Sequence, residues 1–226
     1  MTDTKRPALT RESLIATALD LLDEVGLDGL TVRRLASELG VQSPALYWHI
    51  RTKQELLDGM AEAMILQGEM GPPDEGEAWE DWLRRRARSY RAAVRSHRDG
   101  ALIVSRVNRL DPSTLRTFDE ELRAMTDHGF SPALALRTIT TLSQYITGFL
   151  LQEQAERPGT GSASERATAL RGLLGEDSAT LAAIRTGATI IGDDAFEHGI
   201  TLIIQGTRHA VDGADESGGE QDRGPS

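Results

Sequence analysis

Apolar residues recur at helical spacing along almost the whole chain. Leu14, Ala18, Leu21, Leu22 and Val25 lie at i, i+4, i+7, i+8 and i+11, which places them on one face of a helix. Similar patterns continue to about residue 210, and no segment shows the two-residue alternation of a half-buried strand. With 39% apolar residues, the chain can bury a core. The sequence therefore predicts an all-α fold.

Capping residues divide the first 67 residues into four helices. A threonine or serine before a helix can accept a hydrogen bond from a free backbone N–H, and a glycine can end the helix. A proline in the first turn loses no helical hydrogen bond, and a glutamate three residues after the cap predicts a capping box. The predicted caps are Thr10, Thr31, Ser43 (before Pro44) and Thr52 (with Glu55), and the predicted ends are Gly26, Gly40 and Ile50.

The same signals predict seven helices beyond a connector that is rich in glycine and proline, residues 68–77. Asp111 and Ser131 each precede a proline, as at a capped helix start. A Gly- and Ser-rich flexible loop is predicted at 157–164. The predicted helices lie near 78–97, 100–109, 112–127, 132–156, 166–174, 178–187 and 193–210.

These helices indicate a small head on a larger body. The head has three helices and is joined to the body by a fourth. Charged or Gly-rich ends predict disorder at both termini. The predicted organisation is a disordered arm (1–9), a three-helix head (10–52), a connecting helix (53–67), a helical body (68–211) and a disordered tail (212–226).

The net charge of −10 is unevenly distributed. Residues 1–53 hold seven basic and seven acidic side chains, so the whole negative charge lies in residues 54–226. A neutral head can still present a basic face to DNA. The chain has no cysteine, which excludes disulfides, and no apolar run approaches the roughly 18–20 residues of a membrane helix. We expect a cytoplasmic protein without a signal peptide.

Residues 31–49 (TVRRLASELGVQSPALYWH) carry the strongest functional pattern. Two short helices meet at Gly40, and Leu35, Leu39 and Leu46 can hold them together, as in a helix-turn-helix. In that motif the second helix enters the major groove and meets base edges with its N-terminal residues. The predicted DNA contacts are Arg33, Arg34, Gln42, Ser43, Pro44, Ala45, Tyr47, Trp48, His49 and Lys53.

Several of the polar and aromatic residues also have a structural interpretation. Trp48 fits a core position between the third and fourth helices, and Arg33 fits a solvated charge at a helix start. Tyr90 fits either a core or the wall of a pocket. His97 has no partner at metal-ligand spacing, which favours a role at a helix end. The acidic run 119–121 is typical of a solvated helix face.

The run from Leu14 to Leu57, above all LxxELGVxxPALYWHxxxKxxLLD, resembles the tetracycline-repressor family of transcriptional regulators. The resemblance covers about residues 10–211 and is thinner in the body, where Trp79, SHRDG, HGFS and Gly148 carry it. It implies a homodimer whose head binds operator DNA and whose body is a ligand-binding and dimerisation domain. The helices near 132–156 and 193–210 would pair with the same helices of the second subunit. The two heads would read the half-sites of a palindrome, with their recognition helices about 34–36 Å apart.

The resemblance also implies roles for single residues of the head. Arg33 would contact a base, whereas Tyr47, His49 and Lys53 would touch the DNA backbone or flanking bases. Ser43 and Ala45 replace a glutamine and a threonine of the tetracycline-responsive members. The same docking on a different operator sequence is therefore implied.

The implied ligand site departs further from the tetracycline-responsive members. Val104 replaces their metal-binding histidine, Glu69 a second histidine, Arg86 an asparagine and Gln152 a carboxylate, whereas Tyr90 keeps an aromatic ring. Because Mg²⁺ needs oxygen or imidazole ligands, we expect no metal, no cofactor and no magnesium–tetracycline response. An organic ligand with an acidic or carbonyl group would suit Arg86. The implied ligand-binding residues are Glu69, Arg86, Tyr90, Val104, Gln144 and Gln152.

The sequence thus predicts a ligand-responsive repressor that a small organic molecule releases from its operator, with the helix 53–67 as the lever between body and head. The alternative is a helical ligand-binding or protein-interaction module without DNA binding, which the neutral head leaves open. We expect no enzyme, because the GxSxG, phosphate-loop, HExxH and dinucleotide-binding motifs are absent. Salt-dependent DNA affinity would distinguish the repressor from the other two classes.

Overall fold

The computed structural model describes residues 9–155, 172–174, 178–186 and 191–218. Within these ranges the chain is helical and contains no strand, so the predicted all-α fold is confirmed. No helix among them is long and apolar enough to cross a membrane. The helices are α1 (Arg11–Gly29), α2 (Val32–Glu38), α3 (Ser43–Leu46), α4 (Lys53–Gln67), α5 (Trp79–Arg95), α6 (Gly100–Val104), α7 (Pro112–Asp127), α8 (Pro132–Ala155), α9 (Ala179–Arg185) and α10 (Asp193–Gly218), with one further helical turn at 172–174.

Most of the predicted helix caps are present. The side chains of Thr10 and Asp111 accept backbone N–H groups at the starts of α1 and α7. Thr52 accepts the Glu55 N–H at 3.0 Å at the start of α4. The predicted capping box is only half formed there, because the Glu55 carboxylate accepts the Arg51 N–H at 2.8 Å instead of the Thr52 N–H.

The third helix differs from its prediction at both ends. Gln42, rather than Ser43, is the N-cap residue, and no side chain caps the helix. Regular α-helix ends at Leu46 instead of near Ile50. The reason is that the Leu46 carbonyl accepts the N–H groups of both His49 and Ile50, which tightens the last turn.

Regular helix in α1 is interrupted at Gly26, where the sequence predicts its end. Gly26 has φ +72°, and the helix resumes as far as Gly29. The Leu27 N–H, which the interruption frees from the helix, donates to the Asp99 carboxylate at 2.8 Å. Close by, Asp23 Oδ2 lies 2.9 Å from His97 Nδ1. The turn between α5 and α6 therefore holds the end of α1.

Helix α6 stops at Val104, five residues before its predicted end. The next three N–H groups still bond carbonyls of α6, but those of Asn108 and Asp111 bond side chains of α4. Asp58 accepts the Asn108 N–H at 3.0 Å, and Glu62 accepts the Asp111 N–H at 2.9 Å. The Asn108 N–H is a group that the predicted helix to residue 109 would have used, and Asp58 satisfies it instead.

The last helix continues beyond its predicted end near residue 210. It runs to Gly218 and so includes the first residues of the predicted tail, since no proline interrupts residues 211–218. The predicted arm apart from Leu9, the loop 157–164 and the first part of the helix 166–174 lie outside the described residues.

The chain divides into two compact units, one up to His128 and one from Gly129 onwards. In the first unit, α4 packs against α1 and also against α5 and α6. Its Met60 and Met64 side chains are fully buried. At its end, a Cβ on Gly68 would lie 2.9 Å from the Tyr90 Cα of α5. Helix α4 therefore belongs to the core of the head and to that of the body.

In the second unit, α8 and α10 pack side by side. The Tyr145 hydroxyl donates to the carbonyls of Ala195 (3.3 Å) and Phe196 (3.1 Å). A Cβ on Gly199 would overlap the Tyr145 ring, so only glycine leaves room for it. This contact fixes the register of the two helices.

Gly68→Ala should destabilise the fold, because the added methyl meets α5 backbone rather than a flexible side chain. We expect a loss of about 1–3 kcal/mol in the free energy of unfolding, measured by urea titration at fixed protein concentration. Gly213→Ala in α10 is the control, since nothing lies within 4 Å of its Cβ position. It should be neutral or stabilise by up to about 1 kcal/mol. Equal effects at both sites would contradict the proposed close approach of α4 and α5.

Candidate nucleic-acid interface and ligand site

The turn between α2 and α3 has the geometry of a glycine-closed helix end. Gly40 has φ +63°, its N–H donates to the Ser37 carbonyl at 3.1 Å, and the Val41 N–H donates to the Ala36 carbonyl at 2.9 Å. This pair of bonds is a Schellman motif, which needs a left-handed residue at the glycine. At the other end of α2, Thr31 accepts the Arg34 N–H at 3.2 Å. Helices α2 and α3 thus form the predicted helix-turn-helix.

Apolar side chains hold α3 so that its aromatic residues face solvent. Leu35, Leu46 and Ile50 are buried in the head. In contrast, Trp48 is 89% exposed and Tyr47 is 52% exposed. The core interpretation of Trp48 is therefore wrong, since the burial of Leu46 and Ile50 turns the residues between them outwards.

The other predicted DNA contacts are also accessible. Trp48 and the adjacent Tyr47 together form an exposed aromatic patch, which is a more informative feature than a single exposed side chain. Sequence reasoning missed one exposed cation, Arg51, although its position between His49 and Lys53 was a usable signal. The exposed members of the predicted set are Arg33, Arg34, Gln42, Pro44, Tyr47, Trp48 and Lys53, and the partly exposed members are Ser43, Ala45 and His49.

An acidic side chain lies beside this surface, at the start of α1. A backbone hydrogen bond, followed by one from the Thr10 hydroxyl, lowers the pKa of Glu12 from its usual value. The charges of Arg11 and His49 add to this shift. Glu12 therefore stays ionised at neutral pH and limits the positive potential next to His49.

Three of the implied ligand-binding residues lie where α5 meets the connector after α4. Glu69 has φ +52°, and its carboxylate lies 3.3 Å from the Ser89 hydroxyl, next to Tyr90. Tyr90 itself is buried, and Arg86 lies one turn earlier on α5. Val104 is buried on α6.

Arg86 makes a buried, bidentate ion pair with Glu121 of α7. Its Nε and one terminal nitrogen each lie 2.9 Å from a carboxylate oxygen, and the two side chains are 4% and 0% exposed. Glu121 also accepts the Gly71 N–H at 3.0 Å. The prediction of a solvated face for 119–121 is thus wrong at Glu121, whose charge is compensated by Arg86 and by a backbone donor.

The two remaining implied ligand residues belong to the second unit. Gln144 and Gln152 are exposed and lie eight residues apart, on the same side of α8. No group of three His, Cys, Asp or Glu side chains in the described part of the chain is placed to hold a metal ion. Val104 offers no donor atom, so the residues present do not fit the magnesium chelate that the resemblance would imply.

Comparisons with known proteins agree with this geometry. A family model described as "Bacterial regulatory proteins, tetR family" matches residues 14–60, and "Tetracyclin repressor-like, C-terminal domain" matches residues 72–211. The chain is 40% identical over 205 residues to the tetracycline repressor protein class A from transposon 1721 of Escherichia coli. That match covers 88% of this chain and 90% of the relative.

Solved structures with two different ligands are similar to this chain. One is TetR(class A) in complex with 5a,6-anhydrotetracycline and magnesium, with 35% identity, coverage of 89% and 99% of the two chains, and a TM-score of 0.65. Another is the Streptomyces coelicolor TetR family protein ActR in complex with actinorhodin. It shows 30% identity, coverage of 90% and 99%, and a TM-score of 0.77.

The helix-turn-helix head, the helical body and these matches define the class of the protein. It is a ligand-responsive, DNA-binding transcriptional repressor, as the sequence predicted. Within that class, the chain belongs to the tetracycline-repressor family. The relatives named here are transcriptional regulators.

The exposure of Trp48 gives a stability prediction for the head. Trp48→Ala should change the free energy of unfolding by no more than about 0.5 kcal/mol, since the side chain leaves no cavity. Leu46→Ala, two residues away but 3% exposed, should cost about 2–5 kcal/mol. Chemical denaturation of both variants measures the difference. A large loss of unfolding free energy in Trp48→Ala would show that Trp48 packs in the core after all.

Proposed function

We propose that the chain acts as a homodimer on a palindromic operator and is released from it by a small organic molecule. The exposed helix-turn-helix with its outward-facing Tyr47 and Trp48 carries the proposal. The exposed side of α8 supports the dimer because its only charged residue is Arg137, and Leu136 on that side is 50% exposed. Leu202 of α10 is 55% exposed as well. A helix face with a single charge, together with leucines exposed on both helices, suits a symmetric four-helix interface.

The head residues divide into two roles in this proposal. Arg33 reads a base from the start of α2, and the N-terminal residues of α3 face the groove. Tyr47, His49 and Lys53 bind the DNA backbone and thereby set the orientation of the head. The protein acts in the cytoplasm, where its DNA is, and no catalytic role is assigned to it.

The inducer in this proposal is an organic molecule that binds without magnesium. The buried Val104 favours apolar contact in place of metal ligation. Arg86 is already neutralised by Glu121, yet a guanidinium has five N–H donors and this pair uses two of them. A ligand carbonyl therefore suits the remaining donors better than a second carboxylate.

DNA binding should depend on Arg33 and Lys53 in different ways. Arg33→Ala should weaken specific binding by about 1–3 kcal/mol and relax the preference at one base pair, because a base contact is lost. Lys53→Ala should weaken binding to all sequences and reduce the slope of log affinity against log salt by about one. Fluorescence anisotropy with a duplex selected from a random pool measures both effects.

The control for these two variants is Arg123→Ala on α7. Arg123 is an exposed cation that pairs with Asp119 at 2.7 Å, away from the head. Its loss should leave the salt slope unchanged. If Lys53→Ala and Arg123→Ala had equal slopes, Lys53 would not be a phosphate contact.

The ligand proposal predicts no magnesium-dependent binding of tetracyclines. Calorimetric titration with 5a,6-anhydrotetracycline should give the same result in Mg²⁺ and in EDTA, because Val104 cannot ligate the ion. The class A tetracycline repressor, measured in parallel, is the positive control. Binding by this chain that appears with Mg²⁺ and disappears with EDTA would contradict the proposal.

A further inference from the structure

One side of α4 carries three polar residues that are bonded to the segment before α7. Gln54, Asp58 and Glu62 lie at i, i+4 and i+8, so they share a face about 12 Å long. We call these three residues the polar face of α4. Asp58 and Glu62 are 9% and 8% exposed, and such buried carboxylates need hydrogen-bond partners.

Each residue of the polar face binds the backbone of the segment between α6 and α7. The Gln54 amide donates to the Arg106 carbonyl at 3.1 Å and to Asp58 at 2.8 Å. Asp58 accepts the Asn108 N–H. Glu62 accepts the Asp111 N–H, one residue before α7. The segment therefore follows α4 over two helical turns.

Glu62 makes a second bond that reaches into α7 itself. The same Glu62 oxygen accepts the hydroxyl of Thr114, which is 1% exposed. Further along α7, Glu121 is bound to Arg86 of α5 and to the Gly71 N–H. Helix α7 is thus tied to α4 at its start and to the region of the implied ligand residues in its second half.

We propose that Glu62 is a positioning residue that couples α7 to α4, so that a displacement of either helix displaces the other. The inference rests on the proposed function, since it requires that the head binds DNA, and on the packing of α4 against both α1 of the head and α5 and α6 of the body. The hydrogen bonds that Glu62 accepts from Asp111 and Thr114 are directional and buried. They therefore transmit a displacement between α4 and α7, whereas apolar side chains could slide past one another. Coupling of this kind is reciprocal, so DNA bound to the head must alter the start of α7.

Hydrogen exchange of the full chain, with and without the selected duplex, tests this coupling. In the wild type, DNA should slow the exchange of peptides covering 106–115 by about fivefold or more, the lower end of usual allosteric coupling. Glu62→Ala should abolish this response while the DNA affinity changes less than threefold. Glu62→Gln keeps an acceptor oxygen and should restore the response. Thr114→Val removes one hydrogen-bond donor to Glu62 and leaves the carboxylate in place, so it should reduce the exchange response. This variant tests the inference even if Glu62→Ala does not fold.

The matched control is Glu77→Ala. Glu77 also accepts a backbone N–H, from Asp74 at 2.9 Å, and it pairs with Arg85, whose hydrogen bond lowers the pKa of Glu77 to about 2. It lies outside α4, so its loss should leave the response at 106–115 intact. A Glu62→Ala variant that responds as the wild type does, or a DNA-bound wild type with unchanged exchange, would overturn the inference. A wild type that binds no duplex would overturn the proposed function and this inference with it.

Discussion

The burial of two carboxylates on α4 determines much of the surrounding structure. Asp58 and Glu62 lose most of their contact with water. Hydrogen bonds from the Asn108 and Asp111 N–H groups replace the lost hydration of the two carboxylates. The Asn108 N–H is thereby unavailable for continuing α6, which ends at Val104. The same bonds fix where α7 begins. Helix α4 therefore determines the path of the chain between α6 and α7 and also packs against α1 of the head.

Local signals in the sequence were sufficient for the helices and for the motif. Helical periodicity predicted that the helices exist. Thr10 and Asp111 predicted where α1 and α7 start, because capping depends only on neighbouring residues. Gly40 marked the turn of the helix-turn-helix, since only a left-handed residue closes α2 in this way. The outward direction of Trp48 was not decided by pattern, because a short helix of four residues has no full period to read.

Contacts distant in the sequence explain what pattern reasoning missed. The end of α6 depends on Asp58, 50 residues from Asn108, and the burial of Glu121 depends on Arg86, 35 residues away. An acidic residue beside two exposed acidic neighbours resembles a solvated charge until its partner is known. Tertiary pairing overrides local preference in both cases, and a single sequence carries no signal for it.

In the proposed function, the chain keeps the residues that position DNA and replaces those that select a sequence or a ligand. The proposed backbone contacts Tyr47 and Lys53 can serve on any operator, because every operator offers the same phosphates. Ser43 and Ala45 are the proposed base contacts, and the buried Val104, which has no donor atom, belongs to the proposed ligand site. Substitution of the partly exposed Ser43 and Ala45 would change the operator and leave the fold intact. Divergence at such positions would let one helical scaffold serve regulators of different genes and inducers.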